Sequence, residues 1–242
     1  MKGGIILNMS IAIDGPAGAG KSTIAKIIGN KLNLMYINTG SMYRAVTLMA
    51  LENNIEPSDI EGLKALINSM DISFNGNNII VNGKDLEEAI RMPIINNNVS
   101  KYAAVEEVRE LLVSMQQDIN KKYNVIMDGR DIGTVVLKDA PYKFFITASA
   151  EVRAKRRLKE LNGKGININF EDVLKEIKER DYIDSNRKIN PLKQSKDAIL
   201  IDTSNFTIEE VVNKLCNLIQ RDLKMIINFM VKLISKLLKL GE

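Results

Sequence analysis

The chain has 242 residues, 45% of them hydrophobic, enough for one large α/β domain carrying an insertion. A single cysteine, Cys216, and the absence of histidine exclude a disulfide framework, the usual zinc sites and any histidine acid, base or nucleophile, so catalysis falls to Lys, Arg, carboxylates and a metal. The formal charge is +4, but four lysines and one glutamate from Lys224 onward carry +3 of it, leaving +1 on residues 1–223; no nucleic-acid partner is expected.

Met1–Asn8 holds one lysine and the short run Ile5-Ile6-Leu7. That is not a secretory signal, Met9 can itself serve as a start, and a cytoplasmic location is expected. Ser10–Asp14 then reads as an apolar strand, followed by Gly15-Pro16-Ala17-Gly18-Ala19-Gly20-Lys21-Ser22, which fits the phosphate-loop pattern G-x-x-x-x-G-K-[ST]. Ile24, Ile27, Ile28 and Leu32 continue at helical spacing. Strand, glycine-rich loop and helix N-terminus together predict a nucleoside triphosphate site over Gly15–Ser22 and Thr23, because successive backbone N–H groups can converge on phosphate oxygens. Lys21 is expected to reach the β- and γ-phosphates, and the Ser22 hydroxyl to ligate Mg²⁺.

Further along, strands are expected at Met35–Asn38, Asn124–Asp128, Tyr142–Thr147 and Ala198–Asp202, with helical patterns separating most of them. The alternation predicts a doubly wound parallel sheet with its functional residues at the carboxyl ends of the strands. Asn38, Thr39, Asp128, Arg130, Asp131 and Asp202 lie there. Between about Asp71 and Lys84 two short β runs flank Asn75-Gly76-Asn77-Asn78, predicting a hairpin in a subdomain inserted over the sheet's edge.

Arginine forms the second constellation. Arg44 follows the second strand near the first turn of a helix marked by Met42, Ala45, Val46 and Met49; Arg109 lies on a helix with Val105, Val108, Leu112, Met115 and Ile119; Arg130 follows the third strand. Arg180, Asp184 and Arg187 share a helical face if that helix persists so far. Arginine stays charged and pairs bidentately with phosphate, which suits an anionic acceptor held beside an anionic donor. Arg153, Arg156 and Arg157, on a helix with Val152, Leu158 and Leu161, are spaced within one turn and read as a lid over the donor phosphates, or as a solvated charge run.

Ile13–Ser22, Thr39-Gly40-Ser41-Met42-Tyr43-Arg44, Asp128-Gly129-Arg130-Asp131-Ile132-Gly133-Thr134-Val135-Val136 and Glu179-Arg180-Asp181 through Asn186-Arg187, in that order over residues 9–223, resemble the bacterial cytidylate kinases among the nucleoside monophosphate kinases. The resemblance implies a three-layer P-loop kinase fold over residues 1–224. It has a five-stranded parallel sheet, an inserted monophosphate-binding part at about 62–103 with a small β element, and a lid at about 151–169. It implies transfer of the γ-phosphoryl of ATP to CMP or dCMP with Mg²⁺, by a monomer. Lys21, Arg130, Arg153 and Arg157 are the implied catalytic residues. Ser100, Arg109 and Asp131 would recognise the cytosine, Arg180 and Asp184 the sugar, and Arg44, Arg130 and Arg187 the acceptor phosphate, with Thr39 and Tyr43 lining the same pocket. Asp131 can accept from the cytosine amino group whereas a uracil carbonyl would face an acceptor, so CMP is expected over UMP. Asn38 departs from the aspartate common at that position in these kinases.

Two rivals share the loop. Uridylate, adenylate or shikimate kinases differ in acceptor; a GTP-dependent switch would claim Asp59-Ile60-Glu61-Gly62 as its D-x-x-G element, though no β run precedes it. From Met225 to Leu240 apolar residues dominate and Lys232, Lys236 and Lys239 share one helical face. Residues 225–242 are read as an appended amphipathic tail that lies on an anionic membrane surface or a partner, or extends the last helix.

Overall fold

The computed structural model describes residues 9–163 and 165–221; the expectations for Met1–Asn8 and for residues 225–242 lie outside them. Five strands form a parallel sheet: β1 (Ser10–Asp14), β2 (Met35–Asn38), β6 (Val125–Gly129), β7 (Tyr142–Thr147) and β8 (Ile199–Asp202), in the order β2-β6-β1-β7-β8. The expected runs are all strands; β6 is shifted by one residue at both ends and β8 begins one residue later, at Ile199. Asn124 stands just before β6, its Oδ1 accepting from Met9 N at 2.8 Å, and Gly129 extends β6 opposite Asp14.

Side-chain alternation along the strands builds the layers. On one face Ile11 and Ile13 of β1 and Ile126 of β6 join Ile24, Ala25 and Ile28 of α1 (Lys21–Leu32) and Val211, Val212, Leu215 and Ile219 of a helix over 208–221. On the other, Ala12, Ile37, Val125 and Met127 pack against α2 (Thr39–Glu52), α3 (Ile60–Ser69) and α5 (Glu106–Lys122). Each fully buried isoleucine contributes about 2 kcal/mol by leaving water. Three layers with a five-stranded parallel sheet result, as expected for a P-loop kinase fold.

The inserted part contains the predicted hairpin. β3 (Ile72–Asn75) and β4 (Asn78–Val81) pair antiparallel across the two-residue turn Gly76-Asn77, and β5 (Lys84–Asp85) adds a third strand. The buried side chains of Ile79 and Val81 join the layer under α2, which fixes the hairpin to the body. A short 3₁₀ turn, Ala89–Arg91, leads into α4 (Pro93–Tyr102), started by a proline at its first position. After β7, α6 (Ala150–Gly163) and α7 (Phe170–Asn186) form a helical hairpin around their own core of Ala154, Leu161, Val173 and Ile177. Among the described residues no helix is long and apolar enough to cross a membrane.

Candidate active site

The loop Gly15–Gly20 leaves β1 and opens α1 at the carboxyl edge of the sheet. Gly15 has φ of +143°, and a Cβ there would lie 1.9 Å from the Ile146 carbonyl oxygen, so no other residue lets β1 turn this close to β7. Gly20 caps α1 without a side-chain acceptor, which leaves the first N–H groups of the helix free to take an anion. Pro16 and Ala19 are buried, Ala17 and Ser22 half-buried, Gly18 and Thr23 exposed. Lys21 is buried, and its Nζ donates to the Pro16 carbonyl at 2.7 Å across the loop. Burial, then the Arg130 charge, push its pKa well below the ordinary lysine range, against the pull of Asp128, Asp14 and Asp184.

Asp128, one residue before the end of β6, is among the strand-end residues that the sequence points to but has no role assigned there, and it is central to the loop. Its Oδ2 accepts from Ser22 Oγ at 2.9 Å and its Oδ1 from Tyr36 OH at 2.7 Å, while its carbonyl accepts from Thr39 Oγ1 at 2.8 Å. Gly129 permits that last approach, since a Cβ on it would stand 2.6 Å from Thr39 Oγ1. An acid closing the strand beside the loop strand is the signal that marks it. Asp14 is a second buried carboxylate outside the candidate set; it accepts from Ile132 N at 2.8 Å and Gly133 N at 2.7 Å, anchoring the wide, π-helical turn Ile132–Val136. Asn38 uses its side chain to cap α2, accepting from Ser41 N at 3.1 Å. The register sets it opposite Asp128, so the amide spares that carboxylate a charged neighbour.

Beyond the loop the arginines gather. Arg130 Nε donates to Asp184 Oδ2 at 2.7 Å. Arg109, fully buried, pairs with Asp131, donates to the Ala103 carbonyl at 3.1 Å, and lies 5.2 Å from the centre of the Tyr43 ring. Arg187 reaches toward Asp131 Oδ1 at 3.6 Å, beyond hydrogen-bond distance. Arg44 Nη2 donates to Asn96 Oδ1 at 2.9 Å. Ser100 lies half-buried on α4.

Four buried donor atoms here, Arg44 Nε, Arg109 Nε, Arg180 Nε and Arg187 Nη2, have no hydrogen-bond partner among the described residues. Buried polar atoms are normally satisfied, so four such guanidinium atoms mark a site built for an anion. Burial and the neighbouring guanidiniums, Arg180 first, lower Arg44 to about 10. Burial and Arg130 lower Arg180, and burial and Arg109 lower Arg187. Negative charge is in short supply in this pocket, and Arg130 stands electrostatically between it and Lys21.

Two expectations change on this geometry. α7 ends at Asn186, so Arg187 is the extended residue after the helix, with φ −62° and ψ 144°, and its Nε donates to the Asn190 carbonyl at 2.6 Å. Arg153, Arg156 and Arg157 do not converge. Arg153 is buried, paired with Asp181 at 2.6 Å and donating to the Ala17 carbonyl of the loop at 3.2 Å; Arg156 donates to the Thr203 carbonyl at 2.7 Å; Arg157 pairs with Glu160 at 2.9 Å. Separate partners relieve the repulsion that their spacing suggests. The D-x-x-G candidate Asp59–Gly62 is a helix cap, Asp59 Oδ1 accepting from Gly62 N at 2.9 Å, which removes the sequence basis for a switch.

A sequence model of the family "Cytidylate kinase" matches residues 11–221. The chain belongs to the cytidylate kinase family. A cytidylate kinase of Clostridium botulinum (strain Langeland) is 91% identical over 217 residues, covering 90% of this chain and 100% of the relative. One of Clostridium tetani (strain Massachusetts) is 59% identical, covering 88% of this chain and 95% of the relative, and one of Clostridium perfringens (strain ATCC 13124) is 57% identical, covering 88% and 98%. As a member of the cytidylate kinase family the protein is an enzyme of nucleotide phosphotransfer, and the phosphate loop with the arginine pocket beside it is its candidate active site.

Proposed function

We propose that the enzyme transfers the γ-phosphoryl group of ATP to CMP or dCMP, giving ADP and CDP or dCDP by direct in-line transfer. The observation that carries this reading is the pocket of unpartnered guanidinium donors next to the loop lysine, with Arg130 facing both. One anion fits the loop and another the pocket, and a phosphoryl group can pass between them.

The chain's own work is positioning and charge neutralisation, since the attacking phosphate oxygen of the acceptor is already ionised and needs no general base. The loop amides and Lys21 bind the donor phosphates, Arg44, Arg130 and Arg187 hold the acceptor phosphate in line, and Arg180 with Asp184 holds the sugar. Arg109, Asp131 and Ser100 read the base. Asp131, fixed by Arg109 and Arg187, keeps lone pairs for the cytosine amino group and opposes a uracil carbonyl. Arg153 and Arg157 on α6 belong to the donor side; Arg153 already touches the loop at Ala17. The α6–α7 hairpin excludes water as it closes, which prevents loss of the phosphoryl group to hydrolysis.

Ser22 Oγ with the Asp128 carboxylate behind it offers the hard oxygens that Mg²⁺ takes, and the two would hold the ion together with donor phosphates. Held there, Mg²⁺ would supply charge neutralisation for the donor phosphates. The direct test is the CMP-to-UMP ratio of kcat/KM in the wild type and in Asp131→Ala. The ratio should collapse by at least about tenfold in the variant through loss of CMP turnover; an unchanged ratio would take base recognition away from Asp131.

A further inference from the structure

Asn96, one turn into α4, has no motif to announce it and sits against the acceptor pocket. Its Oδ1 accepts from Arg44 Nη2 at 2.9 Å and its Nδ2 donates to the Arg91 carbonyl at 3.2 Å. Both orientations are forced, because a guanidinium has only donors and a carbonyl only an acceptor. One edge of Arg44 is thereby tied to the inserted part, and its Nε remains buried and unpartnered.

The chemical type of this partner sets Arg44 apart. Arg109, Arg130 and Arg153 are held by the carboxylates of Asp131, Asp184 and Asp181, and each pair is close to neutral. Arg44 is oriented by an amide, which fixes geometry and contributes no charge. We propose that Asn96 is a positioning residue that holds Arg44 without neutralising it, leaving the full guanidinium charge to the phosphate of the acceptor nucleotide. The low pKa of Arg44, caused by burial and then by Arg180, Arg130, Arg91 and Arg157, is the state expected of a cation with no counter-ion among the described residues. The inference rests on the proposed role of Arg44 as a ligand of the acceptor phosphate.

Asn96→Asp and Asn96→Ala separate positioning by a neutral group from simple packing. Aspartate is nearly isosteric, keeps the bond to Arg44 and adds the missing counter-ion; it loses the donation to the Arg91 carbonyl, a loss that the new ion pair with buried Arg44 offsets, so it should hold the fold about as well while competing with the phosphate. Alanine removes both bonds and adds no charge. Isothermal titration with CMP should show Kd raised about tenfold or more in Asn96→Asp and only a few-fold in Asn96→Ala, with ATP affinity unchanged and no loss of melting temperature in Asn96→Asp. CMP affinity in Asn96→Asp equal to the wild type, or lost no more than in Asn96→Ala, would overturn the proposal, as would a loss that merely follows the melting temperature. Arg44→Ala, titrated alongside, separates the two levels: weakened CMP binding there keeps the role of Arg44 whatever Asn96 does, and unchanged binding overturns both.

Discussion

Lys21 and Asp14 show how burial sets chemistry residue by residue. Lys21 is folded back on the Pro16 carbonyl at 2.7 Å and is held among Asp128, Asp14, Asp184 and Arg130. Releasing that one bond frees it for a phosphate. Lys21→Ala should lower kcat by at least about a hundredfold with an unchanged circular dichroism spectrum; near-normal turnover in a folded variant would remove Lys21 from the mechanism. Asp14 is raised from 3.8 to about 6, by burial first, against the two backbone N–H groups of Ile132 and Gly133 that lower it. Between those values the native chain keeps a proton that the unfolded chain has released, so this group makes stability fall as pH rises from about 4 to about 6. Asp14→Asn cannot ionise, and urea unfolding across that window should lose this component of the slope; an undiminished slope would place the titration on another group.

Elements divide into those legible from spacing and those set by distant partners. β1, β2, β7 and the hairpin stand where apolar runs and turn residues put them, because each run is buried on both faces or bounded by Asn and Gly. The phosphate loop was equally plain, its glycines demanded by close backbone approach. The partners of the α6 arginines were not, since helical spacing reports which guanidiniums are near each other and says nothing of Asp181 or Thr203 on other elements. Asn96 was hidden for the same reason: its role depends on α4 meeting α2, and a run of three asparagines carries no periodicity. Asp128 was visible as a strand-end acid, yet only the approach of Ser22 and Tyr36 gave it a task. Arg153 is buried and bound to Asp181, whose side chain is 26% exposed. Asp181→Ala therefore leaves a buried charge uncompensated and should destabilise the protein by about 2 kcal/mol, below the range for a fully buried pair. A change under about 0.5 kcal/mol in denaturant unfolding would show that solvent already replaces Asp181.

At the scale of the whole molecule, the α6–α7 hairpin has a core of four buried residues separate from the two layers on the sheet. Its polar links to the body include Arg153 to the loop, Arg156 to Thr203 and Asp184 to Arg130. Elements with few apolar contacts to the body open at lower free energy than the sheet. Amide exchange in α6 and α7 should thus be faster than in β1 and β6, and slow when ATP and CMP are added together; equal protection in both regions without ligand would contradict a closing lid. In the proposed reading, the two sites that such a lid would join, a phosphate loop and an arginine pocket, are what a kinase with a phosphate as acceptor requires. The measurement that tests that claim most directly is ADP release from ATP and Mg²⁺ against CMP, dCMP, UMP, AMP, GMP and shikimate in one series. The account predicts strong turnover with CMP and dCMP alone; turnover of another acceptor in preference, or none with CMP, would contradict it.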